Sequence, residues 1–333
     1  MPPIADRHQA LHRFVADHLP AGTFRIVPAS ADLGYRSYWR VHATGQPSRI
    51  VMDAPPDKVE CGPFLRVAGL LRTAGLNVPE ILAEDLDQGF LLMSDLGERT
   101  CLETIQAGAD PAPHIAAAIV ELVRLQRMAP PDWLPPYGRA LLEQELDLFP
   151  DWYLARHCGV TLDGADRAAW QDARERLVSA ALAQPQVLVH RDYMLRNLMP
   201  PVGSADVPGV LDFQDACVGP IAYDPLSLVK DAFASWPAAA VEDWLRSYHA
   251  QARAGRLPVP EWEPFRRDVD WIGIQRHLKV IGVFTRVNYR DGKPKYLTDT
   301  PRFFRYLFEV LPVYPELAGL EQLLRRYAPA DAA

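Results

Sequence analysis

Apolar residues in the first part of the chain follow a helical spacing near the start and strand-like spacings afterwards. Residues three or four positions apart predict a helix from about Ile4 to Leu19 that ends before Pro20. A second helix is predicted from Pro63 to Ala74. The predicted strands run from Phe24 to Pro28, Tyr38 to His42, Arg49 to Asp53, Pro79 to Asp85 and Gly89 to Met93.

Beyond about residue 97 the apolar positions recur mainly at helical spacing. The predicted helices run from Ile115 to Leu125, Asp163 to Gln184, Ala238 to Arg253, Pro264 to Arg290 and Pro301 to Leu311. The segment from Ala129 to Gly138 is predicted to be a loop because prolines punctuate it. Asp224-Pro225 predicts a helix start, with the carboxylate as the cap and the proline at the first helical position.

Composition and charge describe an ordinary globular chain. It has 333 residues, of which 49% are hydrophobic and 23% charged, so it is long enough for two lobes that share an interface. Proteins that bind nucleic acid usually concentrate positive charge, whereas this chain has a formal net charge of -7. We therefore expect no nucleic-acid partner.

The cysteines and the N-terminus bear on where the protein works. Cys61, Cys101, Cys158 and Cys217 lie far apart and form no C-x-x-C pair, so neither a zinc site nor a disulfide framework is indicated. The first residues are too polar for a signal peptide, and no apolar run approaches the roughly 18 residues of a membrane span. We expect a cytoplasmic protein that makes no contact with a membrane.

The stretch from Val187 to Asp224 carries the candidate chemistry. One apolar run leads into Asp192, a second leads into Asp212, and Asn197 lies between them. Carboxylate and amide oxygens are hard ligands that hold magnesium against phosphate, and a further carboxylate can orient an attacking hydroxyl. This spacing predicts a phosphoryl-transfer site, with Asp192 as the catalytic base and with Asn197 and Asp212 as metal ligands.

These residues match a known pattern. His190-Arg191-Asp192 with Asn197 follows the kinase catalytic-loop motif H-R-D-x-x-x-x-N, and Asp212-Phe213-Gln214 stands where that superfamily has D-F-G. Because the interval between the two motifs is short, the chain resembles the aminoglycoside-phosphotransferase branch of small-molecule kinases. Within that branch, three segments resemble the anomeric sugar kinases. They run from Met52 to Lys58, from Asp212 to Asp224 and from Gln275 to Asp299.

The resemblance implies a fold and an activity. The fold is α+β and protein-kinase-like, with a small β-rich N-lobe at residues 1–97, a larger mostly helical C-lobe at residues 98–333, and the active site in the cleft between them. The activity is phosphorylation of the anomeric hydroxyl of N-acetylmuramate or N-acetylglucosamine during cell-wall recycling. The implied cofactors are ATP and Mg²⁺, the partner is a small-molecule amino sugar, and the expected state is a monomer.

The resemblance also assigns binding and supporting residues. A phosphate-covering loop would comprise Gly34, Tyr35, Arg36 and Ser37. Taken alone, the segment fits a plain hairpin turn equally well, because Gly and Ser are common turn residues. A hinge that binds adenine would comprise Met93, Ser94 and Leu96, next to a lobe boundary near Gly97. Residues that support the catalytic loop would be His190, Arg191 and Asp224.

One position departs from the family pattern. The related kinases carry a lysine or arginine on the third strand to hold the nucleotide phosphates, and here that position is Asp53. Arg36, Lys58 and Arg66 are candidates for the missing positive charge. The sequence does not choose among them.

Basic residues late in the chain are candidates for the acceptor site. Arg276, Lys279, Arg286 and Arg290 share one face of a predicted helix. The face could be simply solvated, or Arg276 and Lys279 could pair with an anionic group such as the lactyl carboxylate of N-acetylmuramate. Asp215 could face the sugar, or it could cap the next turn.

Other functions remain open on the sequence alone. An enzyme with the same fold could use another acceptor, such as an aminoglycoside, although a polycationic drug would call for an acidic pocket. The unusual Asp53 also allows a non-catalytic nucleotide-binding module. The preference between the two amino sugars and the anomer formed do not follow from the sequence.

Overall fold

The structure, a computed structural model, describes residues 4–19, 23–31, 35–201 and 207–332. Contacts divide the chain into two compact units. The first unit comprises Met1–Glu121 and Leu195–Asp215, and the second unit comprises Leu122–Met194 and Ala216–Ala333. The chain thus passes from the second unit back to the first inside the stretch that carries the motifs. The lobe boundary near Gly97 stays a prediction.

The regular elements of the described residues are as follows. The strands are β1 (Phe24–Ala31), β2 (Ser37–Ala43), β3 (Arg49–Asp53), β4 (Ile81–Asp85), β5 (Phe90–Ser94), β6 (Gln186–Val189), β7 (Leu198–Met199), β8 (Gly209–Val210) and β9 (Cys217–Pro220). The helices are α1 (Ile4–Asp17), α2 (Gly62–Thr73), α3 (Cys101–Gln106), α4 (Pro111–Gln126), α5 (Arg139–Leu148), α6 (Gly164–Ala183), α7 (Tyr223–Val229), α8 (Ala238–Ala254), α9 (Trp262–Asp291), α10 (Thr300–Val310) and α11 (Ala318–Tyr327).

An antiparallel sheet in the order β1-β2-β3-β5-β4 forms the centre of the first unit. One face of α1 packs on it, because apolar residues three and four positions apart lie on the same side of a helix. The buried residues of this core are Leu11, Phe14 and Val15 from the helix and Val41, Val51, Phe90 and Leu92 from the strands. Burying each of these side chains contributes at most about 1.5–3 kcal/mol to the stability of the fold, depending on its size.

The 30-residue helix α9 is the central element of the second unit, where it contacts α5, α6, α7 and α10. Gly282 allows α9 to approach the end of α5 closely, since a Cβ at this position would lie 2.5 Å from the carbonyl carbon of Leu148. The helix ends at Gly292, whose φ of 65° is left-handed and suits a residue without a Cβ.

The predicted fold class is confirmed, because a small antiparallel sheet near the N-terminus precedes a larger helical part. The predicted strands and the predicted helices are all present, with shifted ends. The sequence prediction missed α3, α5, α11 and the π-helical segment Phe149–His157. Within the described ranges, no helix is long and apolar enough to span a membrane.

The predicted cap of α7 is wrong in its detail. The helix begins at Tyr223 after Ala222, and no side chain caps it. Asp224 therefore lies inside the first turn, where its carboxylate is fully buried and bonds to a different segment of the chain. Sequence alone could not separate these roles, since Asp-Pro is compatible with either.

Candidate active site

Pairing between β7 and β8 brings Asn197 and Asp212 to the same end of a short ladder in the first unit. Leu198 pairs with Val210 in an antiparallel register. The ladder continues by one bond, because the backbone N–H of Leu211 donates to the carbonyl of Asn197 at 2.9 Å. In an antiparallel pair, the residue before one strand faces the residue after the other, so Asn197 faces Leu211, the neighbour of Asp212. The side chains of Asn197 and Asp212 are in contact at this end of the ladder.

The Asp212 carboxylate is held by amide donors. Asn197 Nδ2 donates to Asp212 Oδ2 at 3.1 Å, and Gln214 Nε2 donates to Asp212 Oδ1 at 2.8 Å. Asp212 itself has a φ of 62°, a left-handed conformation that Asp tolerates better than most residues. The carboxylate is thereby fixed by both its backbone and its neighbours.

This donor set suits magnesium. A carboxylate oxygen can accept more than one bond, so an oxygen that accepts from an amide can also bind a metal ion. An amide donating through nitrogen keeps its own oxygen as an acceptor, and carboxylate and amide oxygens are the hard ligands that Mg²⁺ selects. Asn197 and Asp212 would hold the ion, together with the phosphates of a nucleotide.

The loop that carries Asp192 lies in the second unit and is fastened by Asp224. The buried Asp224 carboxylate accepts from the backbone N–H of His190 at 2.7 Å and of Arg191 at 3.0 Å. His190 is also buried, and its Nδ1 accepts from the backbone N–H of Asp192 at 3.3 Å. These contacts are those of residues that support the loop, and they leave Asp192 half-buried at its tip.

The Glu145 carboxylate contacts polar side chains from three segments of the second unit. Arg191 Nη2 donates to Glu145 Oε1 at 2.6 Å, and Lys279 Nζ lies 2.8 Å from the same oxygen. The hydroxyl of Tyr137 and, at 3.3 Å, Nε2 of Gln275 donate to the other oxygen. Glu145 thus links the arginine of the loop that carries Asp192 to helix α9.

Opposite charges keep this cluster ionised. Burial alone would raise the pKa of Glu145, but Lys279 and Arg191 together outweigh burial and lower it below its ordinary value. Burial likewise lowers the pKa of Lys279, but the Glu145 carboxylate reverses this effect and raises it. A buried carboxylate between cations is stable only while its partners remain, because an unpaired buried charge is strongly destabilising.

The candidate acceptor residues differ in their surroundings. Arg276 is 2% exposed, which rules out a solvated face at this position. Its Nε donates to Ser227 Oγ at 2.6 Å and its Nη2 to Met194 Sδ at 3.3 Å. Lys279 is partly exposed. Asp215 is exposed in the turn before β9.

The predicted phosphate loop is described only in part, since Gly34 lies outside the described residues. Tyr35 is 66% exposed. Arg36 is half-buried, and its Nε is buried and donates to no described residue. Ser37 opens β2 and pairs with Asp53 of β3, so Arg36 immediately precedes the strand pair that carries the departure from the family pattern.

The predicted hinge begins inside β5, which lies between β3 and β4 in the sheet. Met93 is buried within the sheet, and Ser94 exchanges bonds with Glu80, whose backbone N–H donates to Ser94 Oγ at 2.8 Å. Leu96 follows Asp95, whose carboxylate accepts from Arg40 Nε at 2.6 Å. The segment after β5 is thereby pinned to β2.

Asp53 has a structural partner. Arg7 Nε of α1 donates to Asp53 Oδ1 at 2.8 Å, and Arg7 Nη2 donates to the carbonyl of Gln88 at 2.9 Å. The guanidinium also lies 4.8 Å from the centroid of the Phe90 ring. Where related kinases have a cation on the third strand, this chain has a carboxylate that fastens its first helix.

Glu145 is the main residue that motif reasoning missed. It follows Leu142 by three positions and precedes Phe149 by four, and all three are buried. A charged residue in the middle of an apolar helical face is a detectable signal, because such a charge is rarely buried without partners. The neglected Thr100 and Glu103 gave a second signal, since they form a capping box at the start of α3.

The sheet, the helical unit, the His-Arg-Asp loop and the Asn197–Asp212 pair define a protein of the kinase-like class. Among solved structures, choline kinase LicA from Streptococcus pneumoniae has a TM-score of 0.64 at 11% identity, covering 91% of this chain and 99% of its own. An ADP-bound aminoglycoside phosphotransferase has a TM-score of 0.60 at 16% identity, covering 92% and 99%. At such identities the likeness concerns the fold alone.

The chain belongs to the phosphotransferase enzyme family, whose model matches residues 25–323. Relatives named N-acetylmuramate/N-acetylglucosamine kinase are 51% identical in Pseudomonas aeruginosa, over 90% of this chain and 87% of theirs, and 50% identical in Pseudomonas putida, over 92% and 88%. A relative of the same name in Neisseria meningitidis is 44% identical over 92% of this chain and 91% of its own length. The family resemblance predicted from the motifs is confirmed.

The buried Asp224 carboxyl should make the stability of the protein depend on pH. Burial raises its pKa to about 7, although the N–H donors of His190 and Arg191 oppose this rise. The unfolded chain releases the proton near pH 4, so between about pH 4 and 7 the folded state binds more protons and its free energy of unfolding falls as pH rises. Between about pH 4 and 7, the free energy of unfolding of wild type should fall by a few kcal/mol relative to that of Asp224→Asn. Urea unfolding at a series of pH values measures this difference.

The exposed Asp132 provides the control. Asp132→Asn should follow wild type at every pH. If wild type instead gains stability relative to Asp224→Asn as pH rises, the N–H donors outweigh burial and the direction of the shift is wrong.

Proposed function

We propose that this protein transfers the γ-phosphoryl group of ATP, with Mg²⁺, to the anomeric hydroxyl of N-acetylmuramate or N-acetylglucosamine. It would act as a cytoplasmic monomer that returns cell-wall amino sugars to metabolism. The observation that carries the proposal is about 50% identity over roughly nine-tenths of the chain to relatives named for these two sugars. The Asn197–Asp212 pair and the buttressed Asp192 loop support it.

Asp192 is the proposed base. Its carboxylate accepts a hydrogen bond from the sugar hydroxyl and takes the proton as the oxygen bonds to the γ-phosphorus and the bond to the ADP oxygen breaks. An anomeric hydroxyl is more acidic than an ordinary alcohol, so a carboxylate is a sufficient base. Arg191 and His190 contribute by holding the loop through Glu145 and through the Asp192 backbone.

Asn197 and Asp212 are the proposed metal ligands. A bound Mg²⁺ would neutralise part of the negative charge of the phosphates. The amide contacts fix the Asp212 carboxylate in advance, so little reorganisation accompanies binding. Gly34, Tyr35 and Ser37 would cover the phosphates, and Met93, Ser94 and Leu96 would bind the adenine.

Arg36 is the proposed replacement for the missing third-strand cation. Its Nε is buried and donates to no described residue. Lys58, by contrast, is exposed and lies 3.3 Å from the Asp57 carboxylate. A guanidinium with a donor still unused, next to the β2–β3 pair, is better suited to bind phosphate than an exposed, paired ammonium.

Arg276 and Lys279 are the proposed recognition residues for an anionic acceptor group. The contacts of Arg276 with Ser227 and Met194 use two of its five N–H donors. The remaining donors can pair with a lactyl carboxylate, which N-acetylmuramate has and N-acetylglucosamine lacks. Asp215 would accept from a sugar hydroxyl.

The first test is a panel of acceptors incubated with ATP and Mg²⁺. We expect sugar 1-phosphate from N-acetylmuramate or N-acetylglucosamine, detected by phosphorus NMR. In Asp192→Asn, kcat should fall about 10²–10⁴-fold because the proton acceptor is lost, while ATP binding is retained. Asp132→Asn is the control. Product from aminoglycosides alone would refute the substrate, and no product from any acceptor would favour a binding module.

The second test concerns Arg36. Arg36→Gln should weaken ATP binding about tenfold or more, because a charge-assisted bond contributes about 1.5–3 kcal/mol, and should leave adenosine binding unchanged. Titration calorimetry measures both. Lys58→Gln is the matched control and should bind ATP like wild type. A larger loss in Lys58→Gln than in Arg36→Gln would reverse the assignment.

The third test concerns acceptor charge. Arg276→Lys keeps the charge but loses the planar fork, so KM for N-acetylmuramate should rise about tenfold more than KM for N-acetylglucosamine. Arg290→Lys, at an exposed position on the same helix, is the control. Equal losses with both sugars would mean that Arg276 supports the fold and does not read the carboxylate.

A further inference from the structure

Gln214 occupies the third position of the Asp212-Phe213-Gln214 motif, where the kinase superfamily has glycine. It is 8% exposed. The preceding Phe213 is fully buried with its ring 4.8 Å from that of Phe64, which fixes the backbone at this point. A long polar side chain buried at this position requires a physical reason.

The orientation of the Gln214 amide follows from its neighbour. Nε2 donates to Asp212 Oδ1 at 2.8 Å. The opposite orientation would place the amide oxygen against a carboxylate oxygen, two acceptors with no proton between them. Asn197 presents its nitrogen to the other carboxylate oxygen for the same reason. Both amides therefore bind Asp212 through nitrogen.

The amide oxygen of Gln214 is the unusual atom. Oε1 is buried and accepts no hydrogen bond from the described residues. Leaving a buried acceptor unsatisfied costs about 1–3 kcal/mol, so such atoms call for an explanation. Because Oε1 and Nε2 share one carbon, Oε1 lies within about 5 Å of the Asp212 carboxylate.

We propose that Gln214 belongs to the magnesium site, with Nε2 orienting Asp212 and Oε1 supplying a further neutral oxygen to the ion or to a water bound to it. Neutral amide oxygens are ordinary ligands of hard cations. The inference rests on the proposed function insofar as Asn197 and Asp212 must hold the metal. A glycine at this position could perform neither role.

A simpler role would be the hydrogen bond to Asp212 alone. The two roles differ in what each substitution removes. Gln214→Met removes the oxygen and the N–H donors while keeping an unbranched chain of similar length. Gln214→Glu keeps an oxygen ligand but loses the donors and places a second carboxylate beside Asp212. Ligation by oxygen predicts different results for the two variants, whereas positioning alone predicts a loss in both.

The experiment measures Mn²⁺ binding, which uses the same hard ligands as Mg²⁺, to the full chain with ADP present. Free Mn²⁺ is quantified by electron paramagnetic resonance. Gln214→Met should raise the Mn²⁺ dissociation constant about 10- to 100-fold, the usual effect of losing a residue that contacts or orients metal ligands. Gln214→Glu should bind at least as tightly as wild type. Gln106→Met, exposed at the end of α3, should match wild type.

A second readout is the rise in thermal midpoint when Mn²⁺ and ADP are added, which should be smaller in Gln214→Met than in wild type. Wild-type binding in Gln214→Met, or equal weakening in both Gln214 variants, would overturn the ligand role. Asp212→Asn separates the two proposals, since it should bind Mn²⁺ weakly whatever Gln214 does. If wild type itself binds no Mn²⁺ with ADP, the metal site of the proposed function fails, and the Gln214 role fails with it.

Discussion

The backbone is left-handed at or next to both candidate aspartates of the active site. It is left-handed in Arg191, immediately before Asp192, and in Asp212 itself. This conformation costs about 1–2 kcal/mol for a residue with a Cβ, so it persists only where surrounding contacts enforce it. At Arg191 the enforcing contacts are the backbone bonds to Asp224 and the ion pair with Glu145. At Asp212 they are the bonds from Asn197 and Gln214.

Buried carboxylates are the means by which the second unit holds its loop, and they do so in different electrostatic settings. Glu145 lies between Arg191 and Lys279, which keep it ionised despite burial. Asp224 has mainly backbone N–H donors, and burial shifts its pKa upwards. Removing Arg191 or Lys279 would leave the buried charge of Glu145 without full compensation, which is costlier than losing a surface ion pair.

Much of the fold and part of the candidate site could be predicted from local patterns. Apolar patterns located α1, α9 and most strands, because α1 buries one face and the middle of α9 and most of β5 are buried on every side. The spacing of Asp192, Asn197 and Asp212 suggested the chemistry, because a short interval leaves few ways to arrange them. Local signals at α3 and α5 were also present in the sequence and went unused.

The sequence by itself determined most of the elements, the motif residues and the family, since these depend on residue types at short spacing. Tertiary structure alone decided that Arg7 pairs with Asp53, that Asp224 caps no helix, and that Glu145 joins Arg191 to α9. The physical reason is that a charge or a hydrogen-bond donor carries no local mark of its distant partner. That partner is fixed only when packing brings the two segments together and removes water from between them.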